Sequence, residues 1–289
     1  MIDTGLKDKV VLITGINNPH GIGAATAKAF VAQGALVAGT YLRHPAKASA
    51  TDRPGEEFYH AQVAKTASEV VTSIRESGGR IEAWECDLAD PAVIPDLFDQ
   101  AERLFGRVNV LINNAAHCDP DTFIPSSQLG ANSQAVDGFP MSTITAEKHD
   151  WHFAVNSRAV ALMMAEYARR HVERRASWGR IINVSTDAAA GFNSEISYGA
   201  SKHALESYSR AAAKELGKYG ITVNIASLGP TQTGWINPEL EKSLAAGIPL
   251  GRVGRPDDVA DVIVFLASQQ ARWLTGQLIY IGGGWRMAL

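Results

Sequence analysis

The sequence predicts an α/β fold, a doubly wound parallel sheet flanked by helices, with the whole of residues 1–289 in a single domain. Two observations carry this expectation. Short apolar, β-branched runs alternate with helix-length segments from one end of the chain to the other, and strands apolar on both faces suit a sheet covered on each side. No internal repeat, low-complexity tract or linker interrupts the alternation, and doubly wound sheets often reach this length as one unit.

Val10–Thr14 is the first apolar run and ends at Gly15. A Gly/Asn/Pro stretch separates it from Ile22–Gln33, an Ala-rich segment predicted as a helix and stopped by Gly34. Ala35–Tyr41 is predicted as the second strand, and residues 44–60, polar and proline-bearing, read as a loop insertion. Gln62–Glu76 has helical periodicity, Arg80–Cys86 is strand-like, Ala92–Phe105 is predicted as a helix and Val108–Ile112 as a buried strand. Residues 117–142, rich in Pro, Ser, Asp and Gly, read as a long surface loop, which in a compact domain is functional or mobile. Helices are predicted over about 146–174, 198–218 and 256–267, and strands over Arg180–Val184, Thr222–Ile225 and Gln277–Ile281.

Composition narrows the function classes. Hydrophobic residues make up 46% of the chain and charged residues 20%, with a net charge of −3. That is enough apolar surface for a sizeable core, with neither the charge of a disordered chain nor the basic footprint of a nucleic-acid binder. Two cysteines, Cys86 and Cys118, make no disulfide framework, which suits a reducing compartment. Met1 to Lys9 lacks the apolar stretch of a signal peptide, and no run of 18 apolar residues is present to span a membrane. The expectation is a cytoplasmic protein with no membrane or nucleic-acid partner and no metal site.

Thr14-Gly15-Ile16-Asn17-Asn18-Pro19-His20-Gly21-Ile22-Gly23 joins the first strand to the first helix. Gly15 permits the tight turn, Gly21 lets backbone amides approach a pyrophosphate, and Gly23 lets the helix pack closely on the strand. The helix N-terminus at Ile22 presents unpaired N–H groups to the anion. Glycine-rich turns that bind nothing are common, but a strand before and a helix after favour a dinucleotide site of the Rossmann type. Such sites select NAD with an acid near the end of the second strand. Ala35–Arg43 contains no acid, whereas Arg43, with Tyr41 before it, can hold a 2′-phosphate bidentately. NADP (NADPH) is therefore the favoured cofactor, with NAD the alternative; the bland reading of Arg43 is a solvated loop residue.

Tyr198 and Lys202 stand four residues apart and would share one helix face. A phenol with its ordinary pKa of about 10 is a poor acid/base at neutral pH, and a neighbouring ammonium favours the phenolate. Alone, such a pair is common on exposed helices.

With these residues, the chain resembles the short-chain dehydrogenase/reductase family over about residues 6–286. The family's TGxxxGxG fingerprint corresponds to the turn at Gly15, with five residues, 16–20, where the family usually has three, so the loop carrying Asn17 over the adenosine phosphate is longer. The resemblance implies that Ser185, 13 residues before Tyr198, fixes the substrate's carbonyl oxygen. It implies that Lys202 also holds the ribose hydroxyls and that Asn156 supports a water chain to Lys202. Asp87 and Leu88 would reach the adenine edge, although the residues alone fit Asp87 equally as a helix cap. Asn113-Asn114-Ala115-Ala116 looks like the family's NNAG turn, with Asn113, Asn114 and Ala115 along the ribose and pyrophosphate side. Thr231 would meet the nicotinamide amide and Thr233 the pyrophosphate, in a segment where Leu228 replaces the usual Pro. Residues Gly234–Gly251 would form a mobile lid, with Trp235 and Ile236 walling the pocket; Phe192, Glu195, His117 and Trp151 are weaker pocket candidates, and His117 receives no role.

The implied activity is NAD(P)-dependent interconversion of a carbonyl and a secondary alcohol in a small-molecule substrate, with Tyr198 as acid/base, by a homo-oligomer, expected as a tetramer. Two readings stand beside it: a 3-oxoacyl-thioester reductase, and a non-catalytic NADP(H)-sensing binding protein, which the intact Ser–Tyr–Lys–Asn set argues against. Enoyl reduction normally goes with a wider Tyr-to-Lys spacing in this superfamily.

Overall fold

All of Val10–Thr14 (β1) is buried, as a strand covered on both faces must be. In the computed structural model, which describes residues 2–45, 51–130, 133–135 and 138–287, the chain continues through α1 (Ile22–Ala32), β2 (Leu36–Tyr41), α2 (Glu56–Val63), α3 (Ser68–Glu76), β3 (Arg80–Glu85), α4 (Val93–Phe105) and β4 (Val108–Asn113). The short strands β5 (Asp121–Thr122) and β6 (Ser142–Thr143) precede α5 (Ala146–Phe153), α6 (Val160–Glu173), β7 (Gly179–Thr186) and α7 (Ile196–Leu216). The last elements are β8 (Ile221–Leu228), α8 (Pro238–Gly247), α9 (Pro256–Ala267) and β9 (Leu278–Ile281). The main sheet has the order β3-β2-β1-β4-β7-β8-β9 with every pair parallel: the doubly wound parallel sheet that the sequence predicts. The order reverses between β1 and β4, and open α/β sheets bind ligands at the carboxyl edge of such a switch point.

Two apolar layers cover the sheet. Phe30 of α1, Val70 and Ile74 of α3, and Ile263 and Leu266 of α9 fill one; Leu97 and Phe98 of α4, Met163 and Tyr167 of α6, and Leu205 of α7 fill the other. Each large side chain so buried contributes roughly 1.5–3 kcal/mol. Among the described residues no helix is long and apolar enough to cross a membrane.

Several predicted elements change. The single helix expected over Gln62–Glu76 is two: α2 begins inside the stretch read as a loop insertion and ends at Val63, and α3 starts at Ser68. The Asn17 side chain donates to the carbonyls of Val63 and Lys65, both at 2.9 Å, and these are the acceptors a continuous helix would use. The hydroxyls of Thr66 and Ser68 bond each other at 2.8 Å, a local alternative that further disfavours helix. The helix expected over 146–174 is interrupted by a π-helical segment, Ala154–Ala159, and such bulges recur at functional sites. Strands β7 and β8 run on to Thr186 and Leu228, so Ser185 lies within its strand rather than just past it. Of the two irregular stretches, residues 46–50 and residues 131–132 and 136–137 lie outside the described residues.

Helix α1 packs against the turn that precedes it so tightly that a Cβ on Gly23 would stand 2.0 Å from the carbonyl oxygen of Gly15. Gly23→Ala is expected to destabilise the protein by roughly 1–3 kcal/mol, measured as a lower urea midpoint at unchanged slope; an unchanged midpoint would mean that the turn yields without cost.

Candidate active site

The β1–α1 turn is built from backbone constraints. Gly15 has φ +77°, and the amides of Gly15 and Ile16 both donate to the Thr40 carbonyl, at 2.8 and 3.0 Å. Gly21 is the cap of α1; no side chain caps the helix and its first turn holds no acid. The N–H groups of that turn therefore face the carboxyl edge of the sheet with their positive dipole end uncompensated, a donor set suited to an anion. This is the observation on which the site fits the pyrophosphate of a dinucleotide.

The neighbouring side chains hold this turn in place. Thr14 Oγ1 accepts from the amides of Asn114 and Ala115 at 3.0 and 2.9 Å, while Asn114 Nδ2 donates to the carbonyls of Thr14 and Gly15 at 2.9 and 3.0 Å. The Asn114 side chain is thus committed to joining β4 to β1, which leaves the backbone of Ala115 along the cleft. The lengthened loop is a bracket: Asn17 reaches the end of α2, as above, and Asn18 Nδ2 donates to the Thr233 carbonyl at 3.0 Å. Thr231 is buried, its hydroxyl donating to the Gly229 carbonyl at 3.1 Å.

At the adenosine end, Arg43 meets an acid the sequence reading did not consider. Its guanidinium contacts Glu85, at the end of β3, through Nε at 2.9 Å and Nη2 at 2.8 Å. Hydrogen bonding raises the Arg43 pKa and lowers that of Glu85, yet both groups lie in solvent and the pair is of the weak, exchangeable kind. Tyr41 packs half-buried against the α1 side of the core. Asp87 accepts from the amide of Ala89 at 2.9 Å and so closes a local turn; it does not cap α4, whose cap is Ala92. Leu88 is buried in the α4 layer.

Tyr198 and Lys202 lie on one face of α7, the Lys202 ammonium 5.7 Å from the centre of the Tyr198 ring. Lys202 Nζ donates to the Val184 carbonyl at 2.9 Å. Burial pulls the Lys202 pKa down to about 8. The Tyr198 phenol departs from the expectation: it is pushed well above its ordinary value, first by burial and then by the nearby Cys118, Glu195, Tyr59 and Asp187. Burial and the acidic groups around it therefore hold the phenol protonated.

Asn156 sits in the π-helical segment, fully buried. Its amide accepts from the His117 N–H and donates to the His117 carbonyl, both at 2.8 Å, and donates to Ser201 Oγ at 3.0 Å, so it clamps the chain after β4 to α7. Ser185 is set apart from this group, its hydroxyl donating to the buried carboxylate of Glu206 at 2.8 Å.

The irregular stretches build the rest of the chamber. The carboxylate of Asp121 accepts from the Ser197 amide at 2.9 Å and from the Ser197 hydroxyl, which caps the first turn of α7 from another segment and so orients Tyr198. Tyr59 and His60 of α2 meet Phe139 at ring separations of 6.4 and 5.8 Å, and Phe192 meets Tyr198 at 6.2 Å. His117 lies 4.8 Å from His152 and 6.2 Å from Trp151, and burial pushes its pKa down to about 4. Glu195 accepts from Cys118 Sγ at 3.5 Å. Of the two lid residues expected at the wall, Ile236 is fully buried in a separate cluster with Ile248 and Val253, and Trp235 donates from its indole to the Thr231 carbonyl at 3.1 Å. Among the residues that escaped the sequence reading, Glu206 had a signal, since it continues the Tyr198–Lys202 helix face by four residues; Tyr59 had none, because its ring contact with Phe139 joins distant segments. Among the described residues no group of His, Cys, Asp or Glu is placed to hold a metal ion.

Asn156→Ala leaves both backbone groups of His117 without their partner. It should lower stability by about 1–3 kcal/mol in urea denaturation and loosen the first turn of α7, seen as faster amide exchange at Ser197 to Ser201; unchanged exchange would show that Asn156 does not hold that turn.

Comparison with known proteins agrees with this geometry. Residues 46–286 match the family described as enoyl-(acyl carrier protein) reductase. The chain is 31% identical over 279 residues to "Uncharacterized oxidoreductase YjdA" of Bacillus subtilis, covering 96% of this chain and 97% of that one. It is 32% identical over 292 residues to "NADPH-dependent aldehyde reductase 2, chloroplastic" of Arabidopsis thaliana, covering 96% and 94%. Among solved structures, the short-chain dehydrogenase/reductase from Serratia marcescens superposes with a TM-score of 0.75 at 28% identity, covering 97% of this chain and 98% of that one. An uncapped glycine-rich turn at the switch point, a Tyr–Lys pair on one face of α7 with its lysine buried, and these relatives along nearly the whole length agree: the chain belongs to the short-chain dehydrogenase/reductase family.

Proposed function

We propose that this protein is an NADPH-preferring reductase that interconverts a carbonyl and a secondary alcohol in a small-molecule substrate. The observation that carries the reading is the Tyr198–Lys202 pair on one face of α7: the half-buried Tyr198 has its phenol pushed well above the ordinary value, and the buried ammonium of Lys202 is anchored on β7. The uncapped first turn of α1, the backbone of Ala115 and the segment Thr231 to Thr233 would hold the cofactor, with Arg43 at the adenosine end. When bound, the cofactor supplies hydride to the carbonyl carbon. Tyr198 gives its proton to the carbonyl oxygen, and a hydroxyl at the end of β7 fixes that oxygen in place, an oxyanion-type role. Lys202 keeps a positive charge beside the phenol and orients the ribose, and Asn156 would support the water chain by which the proton returns to the phenol. Asp187, pushed up to about 6 by burial, lies where the cleft turns toward Gly229 and Gly282.

Carbonyl rather than enoyl chemistry is favoured by the four-residue separation of Tyr198 and Lys202, despite the description of the matching family. The closely set aromatic wall of Tyr59, Phe139 and Phe192 favours a compact or planar substrate over the 3-oxoacyl chain of a carrier protein. A cofactor-sensing role without turnover is disfavoured by the presence of a complete Tyr–Lys–Asn set, with Lys202 and Asn156 buried. Exposed Trp151, Leu162 and Tyr208 on α5, α6 and α7, and exposed Trp273 and Tyr280 near β9, support a homo-oligomer, with a tetramer as the expected form in the cytoplasm.

The test is titration with NADPH and NADH, followed by NADPH consumption with an aromatic aldehyde, an aliphatic ketone and a 3-oxoacyl thioester. Tyr198→Phe should lower kcat by roughly 10²–10⁴-fold while NADPH still binds; a variant that turns over like the parent removes Tyr198 from the chemistry. Glu85 competes with a 2′-phosphate for Arg43, so Glu85→Gln should tighten NADPH by roughly two- to fivefold with NADH unchanged. Equal shifts for both cofactors would make Arg43 a bystander.

A further inference from the structure

The hydroxyl that holds the substrate oxygen is not where the spacing to Tyr198 suggests. Along β7, Asn183 and Ser185 point to the same side, toward the inner face of α7: Asn183 Nδ2 donates to Ser209 Oγ at 2.7 Å and Ser185 Oγ donates to Glu206 Oε1 at 2.8 Å. Ser185 is 2% exposed and Glu206 4%. A hydroxyl has one proton, and that of Ser185 is committed to a buried carboxylate, a charge-assisted bond that is costly to break. The same carboxylate also faces Arg210, at 3.3 Å, and His203, at 3.9 Å.

Thr186 is the next residue and the last of the strand, paired in register with Leu228. It is half-buried, and its Oγ1 accepts from the Ala188 amide at 3.3 Å. Among the described residues nothing accepts its hydroxyl proton. Beyond it the chain turns, with the Ala189 amide donating to the Thr186 carbonyl at 3.2 Å and the Gly191 amide to the Ala188 carbonyl at 3.0 Å. That turn packs on the first turn of α7: a Cβ on Gly199 would stand 2.9 Å from Phe192 Cβ and 3.7 Å from the Ala188 carbonyl. Thr186 thus follows by two residues the Val184 carbonyl that anchors Lys202 and opens the turn that packs beside Tyr198. Its β-branched side chain is stiff about χ1 and its hydroxyl oxygen is already held by an N–H, so the remaining proton has a defined direction.

We infer that Thr186, not Ser185, supplies the hydroxyl that fixes the substrate's carbonyl oxygen beside Tyr198. The assignment rests on the carbonyl chemistry proposed above. Thr186 keeps its proton and donates a hydrogen bond as negative charge develops on the oxygen; the proton that ends on the product oxygen comes from Tyr198. Ser185, through Glu206, is a positioning residue that fixes the end of β7 against α7.

The experiment compares the full chain with Thr186→Val, Thr186→Ser, Ser185→Ala and Tyr198→Phe, reading NADPH affinity by fluorescence, thermal midpoint, and kcat/KM for the best of the three carbonyl probes. Thr186→Val, close in shape but without the hydroxyl, should lose roughly 10²–10³-fold in kcat/KM at unchanged NADPH affinity and near-unchanged thermal midpoint. Thr186→Ser should recover most of that loss, which a purely structural role would not allow. Ser185→Ala should lower the thermal midpoint and lose far less activity than Thr186→Val. If Ser185→Ala loses as much as Tyr198→Phe while Thr186→Val stays active, the assignment is overturned and the carbonyl reading stands. A parent protein that binds NADPH but reduces none of the probes overturns both.

Discussion

The site depends on one knot of hydrogen bonds at the carboxyl ends of β1 and β4. The Thr14 hydroxyl takes two successive amides from the chain leaving β4, and the Asn114 amide returns two bonds to the carbonyls of the chain leaving β1. Two strands that diverge at a switch point are thereby fastened at the place where their connections part. With that edge fixed, α1 must start against Gly15, with its first N–H groups turned outward. A side chain at Gly23 would wedge the knot open, and a capping side chain at Gly21 would fill the anion's place.

A second constraint is the withdrawal of Lys202 from water. Among the described residues its buried ammonium has one hydrogen-bond acceptor, the Val184 carbonyl, and a buried ammonium so sparsely satisfied is costly. Its lowered pKa records that cost. The surrounding helix is fastened correspondingly well, by Asp121 at its first turn, Asn156 at Ser201, and Glu206 against β7. Each clamp comes from a different segment, so the stretch after β4, the π-helical segment and the strand end all orient the N-terminal half of α7. Instability at the reacting centre is offset by bonding around it.

Much of the fold was legible in the sequence because it rests on local signals. Helices α1 and α9 and the central strands carry their own periodicity, with glycine stops and proline starts in place. The Tyr–Lys pair was legible because four-residue spacing on a helix fixes a common face whatever the surroundings. What failed depended on contacts between distant segments. Helix α2 ends where it does because Asn17, more than forty residues away, takes its carbonyls, and nothing inside 44–76 announces that. The partner of Ser185 was out of reach because Glu206 stands on another element; once β7 is seen to run to Thr186, alternation turns Ser185 toward α7. The high phenol pKa was missed because a pair considered in isolation has no burial.

Helix α2 bridges parts of the cleft that would otherwise be independent. At its far end it receives Asn17 from the β1–α1 turn; at its start Gly55 donates to the Gly234 carbonyl at 2.8 Å; and Phe58 meets His20 with tilted rings whose centres are 5.3 Å apart. Asn18 adds a direct strut from the same turn to Thr233. The β1–α1 turn and the segment after Gly234 are thus fastened to one short rod. Where a ligand displaces either of them through that rod, thermodynamic reciprocity requires the coupling to act equally in both directions: whatever a ligand at the turn does to the segment after Gly234, a ligand at that segment does to the turn.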